Sequence, residues 1–343
     1  VRPPEDALRK AAGKLAQAQR PAILAGSRVT EADAVPELAV LAEMLAAPVL
    51  AEQQTSHARL PMPSDHPLYA GSLPLWGPDV HGVLSEFDLI LVVGMDLLRL
   101  DIHQEPPRPI PDEVRLIHLD MDPWQIGKNY GIKVGLVGDP KAGLAELAQR
   151  LRDLQSPEEA EAAARRLERH AARRKAERET LLVEIDAQRD QRPMTTHAFM
   201  GALCRVLPPD AAVVEEAVTT HQYLLERLGV LKDPSGYIGH RGWALGWGLG
   251  CAVGTKLAWP NRPVVGLSGD GAAMYGIQAL WTAAHHHIPA VFVIANNAQY
   301  KILKVSGDVM QLPEMVRRNY LAMDLVDPEI DFVGLARSLG VQA

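Results

Sequence analysis

The sequence predicts an α/β protein with two doubly wound parallel-sheet domains joined by a charged helical linker. Three observations lead to this fold class. Short apolar runs alternate with helical patterns over residues 1–155, the same alternation resumes over residues 193–343, and residues 156–192 between them are rich in charge. Such apolar runs are typical of parallel strands that helices cover on both faces. The length of 343 residues also suits two domains better than a single core.

The first domain begins with an amphipathic helix over residues 4–19, in which a proline occupies the first turn. Its most apolar strand is DLILVVG, at residues 88–94. The other expected elements are strands at 21–25, 48–50, 114–120 and 133–138 and helices at 33–46 and 140–154. This alternation predicts that residues 1–155 form a parallel sheet of their own.

The linker is dominated by charged residues. Of residues 161–190, fifteen of thirty are Asp, Glu, Lys or Arg, and the apolar periodicity is weak. The two signs of charge are mixed, which favours a solvated helix over a surface for nucleic acid. We therefore expect an exposed helical linker over residues 156–192.

The second domain shows the same alternation of strands and helices. Thr195 or Thr196 can cap its first helix, because a threonine oxygen accepts a hydrogen bond from a free N–H of the first turn. The expected elements are this helix to residue 207, a strand at 211–214 followed by two glutamates, a Gly-rich stretch at 239–254 leading into a helix, a strand at 263–268, a helix at 272–287 and a strand at 289–295.

Composition and charge narrow the function classes. The net charge of −7 argues against a general binder of nucleic acid or membrane surfaces. The two cysteines, Cys204 and Cys251, indicate neither a disulfide framework nor a zinc site and suit a reducing cytoplasm. The start of the chain lacks the apolar core of a signal peptide, and the most apolar stretch, residues 244–259, is too short to span a bilayer. We expect a cytoplasmic protein with no nucleic-acid or membrane partner.

The most informative segment is PVVGLSGDGAAMYGIQALWTAAHHHIPAVFVIANNAQY, at residues 263–300. It reads as a strand–helix–strand crossover, and parallel strands joined in this way often lie side by side. Asp270 would then follow one strand and Asn297 the next, at the sheet edge where such proteins bind ligands. Gly269 and Gly271 allow close backbone approach to an anion. Carboxylate, amide and phosphate oxygens describe a Mg²⁺–diphosphate site, although GDG and NN are each also common in turns.

GDG followed by NN at this spacing resembles the signature of thiamine-diphosphate-dependent enzymes. The sequences GDGAAMYGIQALWTAA, IPAVFVIANN and MDLVDPEIDFVGLARSLGV are similar to the decarboxylase and acetolactate synthase branch, in particular to benzoylformate decarboxylases. RPAILAG, DLILVVG and IHLDMDP are similar to the family's Rossmann-like central domain. The resemblance implies thiamine diphosphate and Mg²⁺ as cofactors and a small-molecule 2-oxo acid as substrate. It also implies a central domain at 1–155 and a diphosphate-binding domain at 193–343.

The resemblance further implies roles for individual residues. Mg²⁺ would be bound by the side chains of Asp270 and Asn297 and by the carbonyl of Gln299. The expected cofactor-binding residues are Trp243, Leu245, Gly269, Gly271, Ala272, Tyr300 and Thr219. Leu245 corresponds to the bulky residue that lies beneath the bent cofactor, and the carbonyl of Trp243 would accept a hydrogen bond from the cofactor's amino group.

Members of this family begin with a pyrimidine-binding domain that carries the glutamate needed to activate the cofactor. Residue 1 matches the opening of the central domain, and the family's last strand and helix lie beyond residue 343. We therefore expect a fragment of a longer chain, or one subunit of a split enzyme, that is inactive alone. Because the family's active sites form between subunits, the resemblance also implies a homodimer or homotetramer.

Histidines are the first candidates for acid–base catalysis because their pKa lies near neutrality. His103 follows an apolar strand near the position of a catalytic histidine in benzoylformate decarboxylases. An exposed loop histidine fits the sequence equally well. The run of three histidines at 285–287 suggests metal binding or, more simply, a solvated helix end.

The leading functional prediction is non-oxidative decarboxylation of a 2-oxo acid, with this chain supplying the diphosphate-binding half of the site. An acetolactate synthase-like carboligase is an alternative, because Ser306 and Val305 stand where benzoylformate decarboxylases have aromatic residues. A non-catalytic homologue that keeps only the fold is a second alternative. A dinucleotide oxidoreductase is a third, since residues 248–254 read GLGCAVG, although that run follows no expected strand.

Overall fold

The computed structural model describes residues 1–52, 58–99, 108–221, 223–240, 242 and 244–343. The contacts within the chain divide it into two compact units. The first unit contains Val1–Ala187 and Leu225–Ser235, and the second contains Gln188–Leu224 and Gly236–Ala343. The domain and linker boundaries expected from the sequence stay predictions, at 1–155, 156–192 and 193–343.

In its described part, the first unit is built around six parallel strands. The strands are β1 (Pro21–Ala25), β2 (Val49–Ala51), β3 (Tyr69–Ser72), β4 (Leu89–Val93), β5 (Arg115–Asp120) and β6 (Val134–Val137). The helices are α1 (Glu5–Ala16), α2 (Ser27–Glu31), α3 (Val35–Leu45), α4 (Gly77–Leu84), α5 (Pro140–Leu154) and α6 (Pro157–Ala187). The strand order is β3-β2-β1-β4-β5-β6, with every neighbouring pair parallel. This confirms a doubly wound sheet, and β1 and β4 are buried throughout.

The sequence does not predict β3, α4 or the short helix α2. Prolines interrupt the region between β2 and β4 and hide its periodicity, at Pro61, Pro63, Pro67, Pro74 and Pro78. β3 forms because it pairs with β2, and α4 buries Val80 and Leu84 in the core beneath the sheet. These are tertiary contacts, so the local pattern does not encode them.

The helix α6 is 31 residues long and mostly exposed. Along its described length the buried residues are Ala163, Leu181 and Ile185. Its surface carries ion pairs one turn apart, such as Arg173 with Glu177, each contributing about 0.3–0.5 kcal/mol. α6 is therefore the exposed, charged helix that the sequence predicts, and its contacts group it with the first unit.

The described part of the second unit contains a smaller sheet of four parallel strands. The strands are β7 (Ala212–Glu216), β8 (Tyr237–Ile238), β9 (Val264–Gly269) and β10 (Val291–Ala295). The helices are α7 (Thr196–Val206), α9 (Trp247–Ala258), α10 (Asp270–Gly276), α11 (Ala279–His285), α12 (Lys301–Val309), α13 (Pro313–Val316) and α14 (Phe332–Ser338). The short helix α8 (Leu224–Arg227) begins at the last residue of this unit's first segment, and its other residues belong to the first unit. The strand order is β10-β9-β7-β8. The pair β9–β10, joined by one crossover, is adjacent as predicted.

Two helix predictions in this unit have different outcomes. Thr195 is confirmed as the cap of α7, because its hydroxyl oxygen accepts from the Ala198 N–H at 3.1 Å. The prediction of a single helix at 272–287 is wrong. The helical region begins earlier, at Asp270, and is divided into α10 and α11. Gly276 ends α10, and a glycine inside a helix favours such a break.

The GLGCAVG run at 248–254 lies inside α9. A pyrophosphate-binding glycine turn lies instead between a strand and the helix that follows it. This run is therefore no dinucleotide fingerprint, and the prediction of an oxidoreductase loses its one motif. α9 also covers most of residues 244–259, the most apolar stretch of the chain. Among the described residues, no helix combines the length and apolar character needed to cross a membrane.

Candidate functional site

The carboxyl ends of β9 and β10 meet at one edge of the second sheet, where Gly269 pairs with Ala295. The structure thereby brings together the two residues that the sequence singled out. The Asn297 N–H donates to Asp270 Oδ2 at 3.2 Å, and the Gly271 N–H donates to Asp270 Oδ1 at 2.8 Å. Asp270 is only 3% exposed. These two hydrogen bonds orient a buried carboxylate at the ligand-binding edge of a parallel sheet.

The loop after β10 is held in a defined turn. Asn297 Oδ1 accepts from the Gln299 N–H at 3.1 Å, and residue 298 lies in the left-handed region with φ of 52°. Gln299 faces Asp324 in an antiparallel bridge. The hydrogen bonds of that bridge use the carbonyl of Ala298 and the N–H of Tyr300 rather than the Gln299 carbonyl. Among the described residues no backbone N–H outside the regular helices and strands donates to the Gln299 carbonyl, so this oxygen can serve another ligand.

The donor set fits the predicted metal. Asp270 offers a carboxylate, Asn297 an amide oxygen and Gln299 a carbonyl, and hard oxygen donors of this kind suit Mg²⁺ when phosphate oxygens and water complete the shell. Within the described residues, no three His, Cys, Asp or Glu side chains gather into a metal-binding group. The predicted Mg²⁺ ligands are one carboxylate, one amide oxygen and one backbone carbonyl, so they are not a cluster of that kind. The assignment of these three residues to Mg²⁺ stays a prediction.

A shallow depression of about 70 Å³, open to solvent, lies at this sheet edge. It is lined by the last residues of β7 and β9, which are Glu216 and Gly269, by residues that follow β7, β9 and β10, and by the residue at position 245. The predicted site residues among its lining are Thr219, Leu245, Gly269, Asp270, Gly271, Ala272, Asn297, Gln299 and Tyr300. The structure therefore gathers nine of the eleven predicted site residues around one depression.

Two glycines of the GDG motif meet different surroundings. A Cβ built on Gly271 would lie 2.6 Å from Cε1 of Tyr300, so a side chain there would displace the tyrosine ring. No described atom lies within 4 Å of a Cβ built on Gly269. The space beside the Gly269 Cα is therefore open, and Gly269 also lines the depression, so a ligand can approach its backbone.

Two predicted site residues, His103 and Trp243, lie outside the described residues, and their roles stay predictions. The histidine run at 285–287 lies at the end of α11, away from the depression lining. There the His285 ring stacks on Trp281, with 4.7 Å between ring centroids and an angle of 8° between planes. This stacking accounts for His285 without a metal.

The sequence places two glutamates after the strand at 211–214 but gives them no role in the site. In the structure both Glu215 and Glu216 are buried at the end of β7, each 5% exposed. Glu215 Oε1 accepts from the Ala217 N–H at 2.6 Å, and Glu215 Oε2 accepts from the Tyr237 hydroxyl at 3.0 Å. Burial raises the pKa of Glu215 to about 7, although both hydrogen bonds act in the opposite direction. The sequence feature that predicts their burial is the position of two consecutive glutamates at the end of an apolar strand.

The raised pKa of Glu215 predicts a pH-dependent stability. An acid with a raised pKa in the folded state contributes stability below its unfolded pKa, near 4.5, and loses it as pH rises through about 7. Between pH 5 and pH 8 the free energy of unfolding of the second unit should therefore fall by about 2–3 kcal/mol through this group. Urea denaturation of wild type and Glu215→Gln at both pH values measures this. The difference between the two proteins should move by that amount in favour of the glutamine variant, and an identical difference at both pH values contradicts the assignment.

Family comparisons agree with this geometry. A model described as "Thiamine pyrophosphate enzyme, central domain" matches residues 8–147. A second, described as "Thiamine pyrophosphate enzyme, C-terminal TPP binding domain", matches residues 217–343. The first match falls on the six-stranded sheet, and the second contains β9, β10 and every residue that lines the depression except Glu216.

Two curated proteins and one solved structure are similar to this chain over nearly its whole length. The chain is 33% identical to a benzoylformate decarboxylase from Pseudomonas aeruginosa, over 96% of this chain and 57% of that protein. It is 30% identical to an acetolactate synthase large subunit from Parasynechococcus marenigrum, over 99% of this chain and 52% of that protein. A solved structure, the thiamine diphosphate-dependent 4-hydroxybenzoylformate decarboxylase of Rhodococcus jostii RHA1, has a TM-score of 0.78 at 28% identity and covers 100% of this chain and 59% of its own.

The chain spans about half the length of the curated relatives it matches. Within that span, both sheets agree with the resemblance that the GDG and NN motifs suggest. The two family models together match more than half of the residues, in the same order as the two sheets. This chain belongs to the thiamine pyrophosphate enzyme family, of which it carries the central and C-terminal cofactor-binding domains.

Proposed function

We propose that this chain supplies the diphosphate- and Mg²⁺-binding half of the active site in an enzyme that decarboxylates a 2-oxo acid without oxidation. The observation that carries the proposal is the buried Asp270 carboxylate, which is hydrogen-bonded to the loop of Asn297 at the edge of the second sheet. A turn formed by GDG or NN alone requires no contact between the two motifs. A shared metal site requires the two motifs to lie side by side, as they do here.

The residues of the depression divide into two groups by their expected partners. Asp270, Asn297 and the Gln299 carbonyl would hold Mg²⁺, which joins the protein to the diphosphate. The remaining contacts would orient the cofactor, and they come from Trp243, Leu245, Gly269, Gly271, Ala272, Tyr300 and Thr219. When bound, thiamine diphosphate would supply a nucleophilic carbon and an electron sink for the carbon–carbon bond that breaks as CO₂ leaves. The chain itself would supply orientation and charge balance.

The substrate class follows from the relatives and from two substitutions. A 2-oxo acid is the shared expectation, because relatives include benzoylformate decarboxylases. Ser306 and Val305 on α12 replace the aromatic residues expected for a phenyl substrate, which favours a smaller or more polar acid. The acetolactate synthase and glyoxylate carboligase relatives favour carboligation as a second candidate function. His103 is the proposed acid–base residue in either reaction.

The complete site needs partners that the described residues do not supply. We propose that a pyrimidine-binding domain completes the cofactor site and that the protein assembles as a homodimer or homotetramer. The proposed compartment is the cytoplasm, which suits two free cysteines.

The test is a calorimetric titration of thiamine diphosphate into the complete protein, with Mg²⁺ present or removed by chelation. We expect saturable binding in the presence of Mg²⁺ and its loss after chelation. Bound protein is then supplied with benzoylformate or pyruvate. Release of CO₂ with an aldehyde product identifies a decarboxylase, and formation of a carbon–carbon bond identifies a carboligase. A folded protein that takes up no thiamine diphosphate would refute the proposed function.

A further inference from the structure

The residue after Leu245 is held by an unusual backbone arrangement. Gly246 has a φ of 91°, a left-handed conformation that glycine adopts without strain. A Cβ built on Gly246 would lie 2.5 Å from the Cβ of Tyr275, and one built on Gly276 would lie 2.2 Å from the Gly246 carbonyl oxygen. The chain directly after Leu245 therefore packs against the end of α10 without room for a side chain.

A buried carboxylate holds the same stretch from the other side. The Gly246 N–H donates to Glu216 Oε1 at 2.7 Å, and the Gly248 N–H donates to Glu216 Oε2 at 2.9 Å. A Cβ on Gly248 would lie 2.7 Å from Glu216 Oε2, so the glycine is needed for this approach. We name Gly246–Gly248 with Glu216 the backbone clamp.

The clamp is electrostatically favourable. Gly246 and Gly248 stand at the start of α9, where the first N–H groups of a helix have no partner within the helix. Negative charge is stabilised at that end, and bonds from N–H groups to a carboxylate are stronger than neutral ones. Burial raises the pKa of Glu216 from its ordinary value, and the N–H groups of Gly248, Gly246 and Trp247 oppose that shift. Hydrogen bonds from these N–H groups replace the hydrogen bonds from water that the carboxylate loses when it is buried.

Leu245 itself is 45% exposed and lines the depression. A large apolar side chain in this position has little packing of its own to fix its direction. Its direction is set by the backbone on either side, of which the following residues are clamped. Removing the clamp would therefore release Leu245 while leaving the strand ends that carry Asp270 and Asn297 in place.

We infer that Glu216 is a positioning residue, which fixes Leu245 beneath the cofactor by clamping the backbone of Gly246–Gly248. This inference rests on the proposed binding of thiamine diphosphate. Glu216 itself neither binds Mg²⁺ nor moves a proton in this role. If Glu216 only stabilised the fold, its replacement would weaken the binding of all ligands of the site equally.

The first arm of the test measures the clamp without any cofactor. Amide hydrogen exchange is compared between wild type and Glu216→Gln in the complete protein. We expect exchange at the amides of residues 246 and 248 to rise about tenfold or more in the variant, because a bond to a charged group is lost. Exchange in β9 and β10 should remain unchanged. Unchanged exchange at residues 246 and 248 overturns the clamp.

The second arm separates positioning of Leu245 from general damage. With Mg²⁺ present, calorimetry compares thiamine diphosphate with inorganic diphosphate, which is too short to reach a side chain beneath the rings. Glu216→Gln and Leu245→Ala should each weaken thiamine diphosphate about tenfold and change the affinity for diphosphate less than about twofold. In the double variant the two losses should not add, because both act through one side chain. Equal weakening of both ligands, or additive losses, overturns the positioning role.

Gly248→Ala is a second route to the same result if Glu216→Gln folds poorly. Its Cβ would push against the Glu216 carboxylate from the opposite side of the clamp, so the same ligand pattern is expected. If wild type fails to bind thiamine diphosphate at all, the proposed function is overturned, and the cofactor role of Glu216 falls with it. That outcome differs from one in which wild type and Glu216→Gln bind equally, which overturns the positioning role alone.

Discussion

Replacement of Asp270 by asparagine should weaken Mg²⁺-dependent binding of thiamine diphosphate by at least about 100-fold, since a charged ligand of a divalent ion is lost. The amide also changes the local hydrogen bonds. Asp270 accepts from both the Gly271 and Asn297 N–H groups, and an asparagine NH₂ must face one of these donors with its own hydrogens. The loop of Asn297 therefore loses a contact at the same time as the metal loses a charge.

Asp331→Asn is the matched control for Asp270→Asn. Asp331 also accepts from a backbone N–H, that of Gly334 at 2.8 Å at the start of α14, but it is absent from the lining of the depression. Calorimetric titration at fixed Mg²⁺ should show wild-type affinity for this control. If Asp270→Asn also binds with wild-type affinity, the metal assignment is wrong. If both variants lose binding equally, the effect comes from the fold and not from the metal.

Replacement of Gly276 by alanine should destabilise the second unit by about 3 kcal/mol or more. The added methyl group would lie 2.2 Å from the Gly246 carbonyl oxygen. Both partners are backbone groups, so no side-chain rotation relieves the overlap. The chain after Leu245 must move instead, and we expect the affinity for thiamine diphosphate to fall along with the stability. Thermal and urea denaturation measure the first effect, and calorimetry measures the second.

Gly250→Ala is the control for this steric argument. Gly250 is an exposed position of α9, and no described atom lies within 4 Å of a Cβ built there. Because alanine favours a helix more than glycine does, this variant should be more stable than wild type by about 0.5–1 kcal/mol. The same chemical change thus has opposite signs at two glycines. Destabilisation of similar size at both positions would show that the close approach to Gly246 is not the cause.

Much of the architecture is readable from local sequence. The strands β1 and β4 are continuous apolar runs, because a parallel strand covered on both faces has no polar side. Helix starts are readable where a cap is present, as at Thr195. β3 and α4 are not readable, because their prolines obscure the local pattern and their pairing and burial depend on distant partners.

The sequence by itself determined the family, the fold class and the contact between Asp270 and Asn297. That contact is predictable because one strand–helix–strand crossover joins the two residues and places both strand ends at the same edge. Only the tertiary structure decided the partners of Glu216 and the close approach of Gly276 to Gly246. Between Glu216 and Gly246 the chain leaves the second unit, contributes Leu225–Ser235 to the first and returns. No local rule specifies where such an excursion ends, so packing alone sets the clamp behind Leu245.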